Sequence, residues 1–172
     1  GITMKSSREL KLMREAGAVV ASAKLAVLKS IRVGISTREL DRLAETEIRR
    51  LGAVPSFKGY TGGVGVKPFP ATICVSINEE IVHGIPNERV LREGDIVSVD
   101  VGAIVGGFHG DSAFTVGVGN IEEEKLKLID ATKEALRRGI AQARAGNHVG
   151  DVSAAVQAYA EDLGYSVVRQ YV

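Results

Sequence analysis

At 172 residues, with 45% hydrophobic and 25% charged side chains, the chain is long and apolar enough to bury one real core. Its 22 Lys+Arg against 21 Asp+Glu leave a formal net charge of +1, which gives no electrostatic reason for nucleic acid or an anionic membrane as the main partner. No apolar run approaches the ~20 residues of a membrane span, and the single cysteine, Cys74, excludes an internal disulfide and suits a reducing cytoplasm.

Gly1-Ile2-Thr3 ahead of Met4 reads as a cloning scar, with Met4 as the native start and no signal-peptide pattern after it. Ser6 and Glu9 then have capping-box spacing, and Leu10, Met13, Gly17, Val20 and Val27 recur at helical intervals. Gly34-Ile35 breaks that pattern. Ser36 and Glu39 form a second capping box ahead of Leu40, Leu43, Ala44, Ile48 and Leu51, with Gly52 placed to stop the helix. Residues 55–70, "PSFKGYTGGVGVKPFP", are too rich in Gly and Pro for a helix and read as a loop.

A strand is predicted over residues 72–77, followed by the irregular stretch "NEEIVHGIPNERVLREGD". Two more strands, "IVSVDVGAI" and "FHGDSAFTVGV", flank a Gly106-Gly107 turn. Asn120 and the acidic run Glu122 to Glu124 open a third helix with negative charge at its positive end. Its stripe is Leu126, Ile129, Leu136, Ile140 and Ala143, closed by Gly146. A fourth helix is predicted near residues 152–163, ending at Gly164, and "YSVVRQYV" starts as a strand. The two helix pairs share a pattern, "VGIS" to Leu51-Gly52 and "VGDVS" to Leu163-Gly164, a weak internal duplication with a period of about 115 residues.

The stretch from Val97 to Phe114 holds Asp100 and Asp111 and no Lys or Arg. Strand alternation puts Val97, Val99, Val101, Ala103 and Val105 on one apolar face, and Ser98, Asp100 and Gly102 on the other. On the second strand Asp111 shares its face with His109, Ala113 and Thr115. A two-residue turn at Val105-Gly106 sets Asp100 opposite Asp111, and one at Gly106-Gly107 sets Asp111 opposite Gly102, diagonal to Asp100. In both registers the carboxylates share a face, where like charges repel unless something cationic sits between them, a proton or a divalent metal. The plainer alternative is a pair of solvated aspartates on a wet sheet face.

His83, in a loop beside Gly84 and Pro86, is a candidate functional histidine. His109, two residues before Asp111, is a candidate third ligand, with packing beside the turn as the alternative. His148 reads as a cap or surface residue past a helix end.

"INEEIVHGIP" followed by "GDIVSVDVGAIVGGFHGDSAF" resembles type I methionine aminopeptidases of the bacterial kind, and "PSFKGY" and "FPATICVSIN" are similar to the segment before the histidine in that family. The resemblance runs from Met4 to Val172, so residues 4–172 would form the N-terminal portion of such a catalytic domain. It implies an α+β pita-bread fold, an antiparallel sheet with paired helices. It implies removal of the N-terminal methionine from nascent proteins in the cytoplasm, at the ribosome, through a metal-bound hydroxide. Two divalent ions (Co, Mn, Fe or Zn) would complete the site, with Asp100 binding one metal and Asp111 bridging both. His83 would contact the substrate near the scissile amide and serve catalysis, and Tyr60, Phe69 and Cys74 would line the methionine pocket. His109 matches a family histidine that is not a ligand.

The family continues past this point to a Gly-His-Gly histidine ligand and two glutamate ligands, so the native protein is expected to extend roughly another 80 residues. The 172-residue chain is therefore expected to bind metal weakly, to lack activity alone, and to self-associate through an uncovered edge near residues 165–172. The alternatives are another pita-bread peptidase (aminopeptidase P or prolidase), or a non-catalytic scaffold or binding protein of that fold.

Overall fold

Glu9 N–H donates to Ser6 Oγ at 3.3 Å and Ser6 N–H to Glu9 Oε2 at 2.6 Å, and helix α1 (Ser7–Ser30) starts on that capping box. These coordinates come from a computed structural model, which describes residues 3–63 and 65–169. The second box repeats the device: Glu39 N–H donates to Ser36 Oγ and Ser36 N–H to Glu39 Oε2, both at 3.2 Å, at the head of α2 (Thr37–Arg50). α2 closes where Gly52 adopts φ +75°, with Gly52 N–H on the Arg49 carbonyl and Ala53 N–H on the Ile48 carbonyl.

The buried stripe of α1 is Ala16, Val19, Val20, Ala23 and Val27, while Leu10 and Met13 are exposed. The expected stripe was weighted toward large side chains. The real one favours small ones because β4 (Phe108–Gly117) lies almost against the helix backbone. A Cβ on Gly110 would stand 2.6 Å from the carbonyl carbon of Ala16 and 2.8 Å from the amide nitrogen of Gly17. On α2, Leu40, Ala44 and Ile48 are buried as expected, whereas Leu43 and Leu51 are exposed.

Four antiparallel strands form one sheet around β3 (Ile96–Val105). β4 pairs along one side of β3; β2 (Ile73–Ile77) and β1 (Val54–Pro55) share the other. β1 falls partly in the segment expected as loop, and two residues of pairing to Ala103 and Ile104 were beyond any alternation signal. Gly106 and Gly107 make a two-residue turn at φ +55° and +85°, the twist that matches a right-handed hairpin. Val97, Val99, Val101 and Ala103 pack into a core with Val20, Val27, Leu40 and Ile48 beneath the sheet. The opposite face is left for the polar residues.

Residues Gly1–Ile121 form one compact unit and Glu122–Val172 a second. Within the second, α3 (Glu123–Gln142) and α4 (Val149–Asp162) approach closely at Gly139, where a Cβ would come within 2.7 Å of Val156 Cγ2. The Arg138 guanidinium stacks 3.8 Å over the Tyr159 ring. α3 stops at Gln142, ahead of the Gly146 expected to close it, and α4 begins at Val149, ahead of Val152. His148 is thereby the N-cap of the following helix, its N–H donating to Asp151 Oδ2 at 2.6 Å. Among the expected α3 stripe, Ile129 is buried, while Leu126, Leu136 and Ile140 are exposed; Ala131, Ala135 and Gly139 are buried instead.

α2 and α4 both run 14 residues. α4 ends as α2 does, with Gly164 N–H on the Glu161 carbonyl and Tyr165 N–H on the Ala160 carbonyl, so the duplicated Leu-Gly closes both helices in the same way. Residues 165–169 form no strand, which corrects the strand expected there; a strand needs a hydrogen-bonded neighbour, and no described residue pairs with this segment in a sheet. The edge on which self-association was expected to rest is not formed by residues 165–169, and the remainder of that edge, residues 170–172, lies outside the described residues.

Candidate metal and substrate site

Because the turn is at Gly106-Gly107, Asp111 pairs with Gly102 and Asp100 with Ala113. The two aspartates are diagonal neighbours on the sheet face away from α1 and α2, and their carboxyl groups are within hydrogen-bonding reach of one another. Asp100 is half-buried and Asp111 exposed. The residues around them are small. Ala113 flanks Asp100 on β4, Cys74 flanks it on β2, and one pair further along, the hydroxyls of Ser98 and Thr115 hydrogen-bond at 2.7 Å.

Burial, then the charge of Asp111 and a hydrogen bond with it, push Asp100 up to about 6; His83 pulls weakly the other way. Since the ordinary value lies near 4, the folded chain takes up a proton between about pH 4 and 6 that the unfolded chain has already lost. Ionising Asp100 therefore opposes folding. We expect the wild-type chain to lose stability relative to Asp100→Asn as pH rises from about 4 to 6, with no further divergence above. Urea midpoints of both proteins across that window check this, and a gain by the wild type would contradict it.

His83 lies in the loop after β2, near enough to Asp100 for its charge to act on that carboxyl. Gly84 lies along β2, its carbonyl accepting from Val75 N–H at 2.9 Å and its N–H donating to Ser76 Oγ at 3.1 Å. His83 itself sits in the left-handed region at φ +61°, uncommon for a residue with a side chain, and its charge bears on Asp100. Cys74 is only 7% exposed. Burial, then Asp100, Asp111 and Asp41, push its thiol up to about 12, so it is a protonated wall rather than a nucleophile.

Tyr60 and Phe69 face one another across a tight ribbon, with Gly59 N–H on the Phe69 carbonyl at 2.9 Å and Phe69 N–H on the Tyr60 carbonyl at 2.8 Å. Phe69 is partly buried and Tyr60 is 68% exposed. His109, the candidate third ligand, is exposed and pairs through Nδ1 with Ser56 Oγ at 3.1 Å. Among the described residues no three His, Cys, Asp or Glu side chains are grouped to hold a metal ion, so the aspartate pair stands as two donors of an incomplete set.

Two contributors were not anticipated. Phe57 fills the space above Gly102, where a Cβ would lie 2.7 Å from Phe57 Cε1 and 2.8 Å from Ser56 Cβ. Asp41, on α2, accepts from the N–H groups of Thr72 and Ile73 at the head of β2. For Phe57 the hint was the bare Gly102 between two aspartates in "DVGAIVGGFHGD", which marks a close approach without naming what approaches; Asp41 left no such signal.

The profile of metallopeptidase family M24 matches residues 11–172. The chain is 50% identical over 171 residues to methionine aminopeptidase 1 of Bacillus subtilis and 49% identical over 172 residues to methionine aminopeptidase of Clostridium acetobutylicum; it spans 66% of the length of each, and 99% of it is covered. The crystal structure of methionine aminopeptidase from Thermotoga maritima superposes with a TM-score of 0.94 at 40% identity, covering 100% of this chain and 67% of that one. The prolidase from Pyrococcus furiosus, at 20% identity and a TM-score of 0.81, shares the fold. The α+β pita-bread architecture implied by the resemblance is thus the one observed, and this chain belongs to metallopeptidase family M24.

Proposed function

We propose that the protein carrying this chain hydrolyses the peptide bond after an N-terminal methionine, using divalent metal. The observation that supports this most is the Asp100–Asp111 pair. Two carboxyls lie on one face, Asp111 raises Asp100 by its charge and a hydrogen bond, and His83 acts on Asp100 in the opposite direction. Such a pair is poorly stable with two protons lost and becomes favourable when a cation replaces the proton. The names of the relatives supply the substrate class.

The donor chemistry fits a hard or borderline divalent cation in part: oxygen ligands in a half-buried floor, with further ligands needed to complete the shell. When bound, such ions supply positive charge that polarises the scissile carbonyl and acidifies water. The chain's own residues do the rest. Asp100 gives up its proton and both aspartates act as charged donors, Asp111 being the more exposed and able to offer both oxygens. His83 places an imidazole beside the scissile amide, where it donates a proton to the leaving nitrogen or holds it by hydrogen bond. Tyr60, Phe69 and the un-ionised Cys74 give the methionine side chain an apolar bed. Water adds across the C–N bond, releasing methionine and a new amino terminus. Nascent polypeptides in the cytoplasm, met at the ribosome, are the substrates this reading entails.

Incubating the full-length protein that carries this chain with Met-Ala-Ser, Met-Leu-Ser and Gly-Pro peptides in Mn, Co, Fe or Zn tests it. We expect methionine release from the first, little from the second, and none from the third. Cleavage of the Gly-Pro peptide in preference to Met-Ala-Ser would reassign the protein to a proline-directed peptidase of the same fold.

A further inference from the structure

Between Pro55 and Thr72 the chain is rich in glycine, and such a segment gains little from packing of its own. Its two ends are nevertheless tied to one helix. Asp41 Oδ1 accepts from Thr72 N–H at 2.8 Å and from Ile73 N–H at 3.0 Å. One turn further along α2, Glu45 Oε2 accepts from Lys58 Nζ at 2.7 Å, while its other oxygen holds Arg49 Nε at 2.9 Å, so the Glu45 carboxylate is oriented from both sides. Lys58 is two residues from Tyr60, and Thr72 three from Phe69, the pair whose backbones cross-bond to form the ribbon. Asp41 also bears electrostatically on Cys74, two residues past Thr72.

Asp41 and Glu45 touch neither Asp100 nor Asp111 through any bond described above. Neither was recognisable in the sequence, where both lie on the polar side of an ordinary amphipathic helix. A carboxylate that accepts two backbone N–H groups at a strand start is a strong, directional tie. An exposed Lys–Glu pair is weak alone, yet this one fixes the far end of the same ribbon. The two ties are one helical turn apart on α2, and each holds its own end of the ribbon.

We propose that Asp41 and Glu45 are positioning residues that clamp the ribbon bearing Tyr60 and Phe69 and so set how tightly the methionine side chain of a substrate is held, without acting on the bond-breaking step. The substrate half of this rests on the proposed function; the clamp itself rests on the hydrogen bonds. A ribbon that wanders by an ångström loses side-chain contacts while the aspartate floor, on different strands, stays in place.

The test has two arms, both on the whole protein. In the kinetic arm with Met-Ala-Ser, Asp41→Ala should raise KM about ten-fold with kcat within about two-fold, since positional losses of one ångström reach 10²-fold at most. Asp41→Asn, which keeps an acceptor oxygen, should recover part of that loss. Glu45→Gln and Lys58→Met should each raise KM less, and the double variant no more than the larger single, as expected of a directly coupled pair. In the exchange arm, amide hydrogens of Thr72 and Ile73 should exchange faster in Asp41→Ala and keep their protection in Lys58→Met. A fall in kcat with KM unmoved, or faster exchange with KM unmoved, overturns the proposal. If the parent protein turns over no methionyl peptide, the proposed function fails, and the exchange arm decides the clamp alone: unchanged protection of Thr72 and Ile73 in Asp41→Ala overturns it. If Asp41→Ala does not fold, Asp41→Asn and the Glu45–Lys58 cycle carry both arms.

Discussion

Asp111→Asn is expected to lower turnover of a methionyl peptide by roughly 10²–10³-fold or more, in line with the loss of one preorganised electrostatic group from an active site, and to leave the protein no less stable. The two halves of that result have one cause. Asp111 lies within hydrogen-bonding reach of Asp100, and its charge helps push Asp100 up to about 6. At neutral pH the metal-free pair is mutually repulsive. A neutral amide in place of one carboxylate removes the repulsion and can donate its N–H to Asp100, so the urea midpoint at pH 7 should hold or rise. The same amide has one oxygen and no charge, and cannot help neutralise a bound divalent cation. An ordinary core lesion loses stability and activity together; this substitution should separate them. Activity above a tenth of wild type at saturating Mn, or a clear drop in stability, would argue that Asp111 is structural.

Gly84→Ala should be the most damaging single-methyl change in the first unit. A Cβ there would fall on the Val75 carbonyl oxygen, well inside any tolerable contact, although the backbone of Gly84 is otherwise acceptable to alanine. Relief requires the loop to peel from β2, which breaks the Val75 N–H bond to the Gly84 carbonyl and the Gly84 N–H bond to Ser76 Oγ. Overpacking of this kind costs about 1–3 kcal/mol. The neighbouring His83 moves with the loop and leaves the aspartate face, so kcat should fall along with stability. Gly62→Ala, with nothing within 4 Å of the new methyl, is the control and should be near neutral. Wild-type kcat in a folded Gly84→Ala protein would show that His83 is not held by this contact or not needed.

The legible parts of the molecule were those written locally. Both capping boxes, the Leu-Gly helix ends and the glycine turn depend on residues within a few positions of each other, and each formed at the expected place. The alternation around Asp100 and Asp111 could be read because the opposite face of β3 is wholly apolar, which leaves Asp100 a single side to occupy. The register remained open between two turns until Val105 was found paired with Phe108.

Helix faces were less legible. Leu10, Met13, Leu126, Leu136 and Ile140 promised burial by size, but small residues are buried where a strand or a second helix comes to the backbone. Phe57 over Gly102, and Asp41 on the head of β2, are contacts between segments some 30 to 45 positions apart. No periodicity encodes such meetings.

The closeness of Gly110 to α1 has a mechanical meaning for the pair of aspartates. Gly110 precedes Asp111, and what it meets is the main chain of Ala16 and Gly17 rather than a side chain. Side chains yield by changing rotamer; a helix backbone does not. Beneath the aspartate the sheet therefore rests on a hard stop, and pressure applied from the open face cannot be absorbed by compression at that point. Load would travel sideways along β4 to the glycine turn, where the atoms nearest to a Cβ built on Gly106 belong to the flexible end of Leu12. The hairpin is in effect a cantilever, stiff at its root beside Asp111 and compliant at its tip, which keeps the spacing of the two carboxylates insensitive to what happens at the turn.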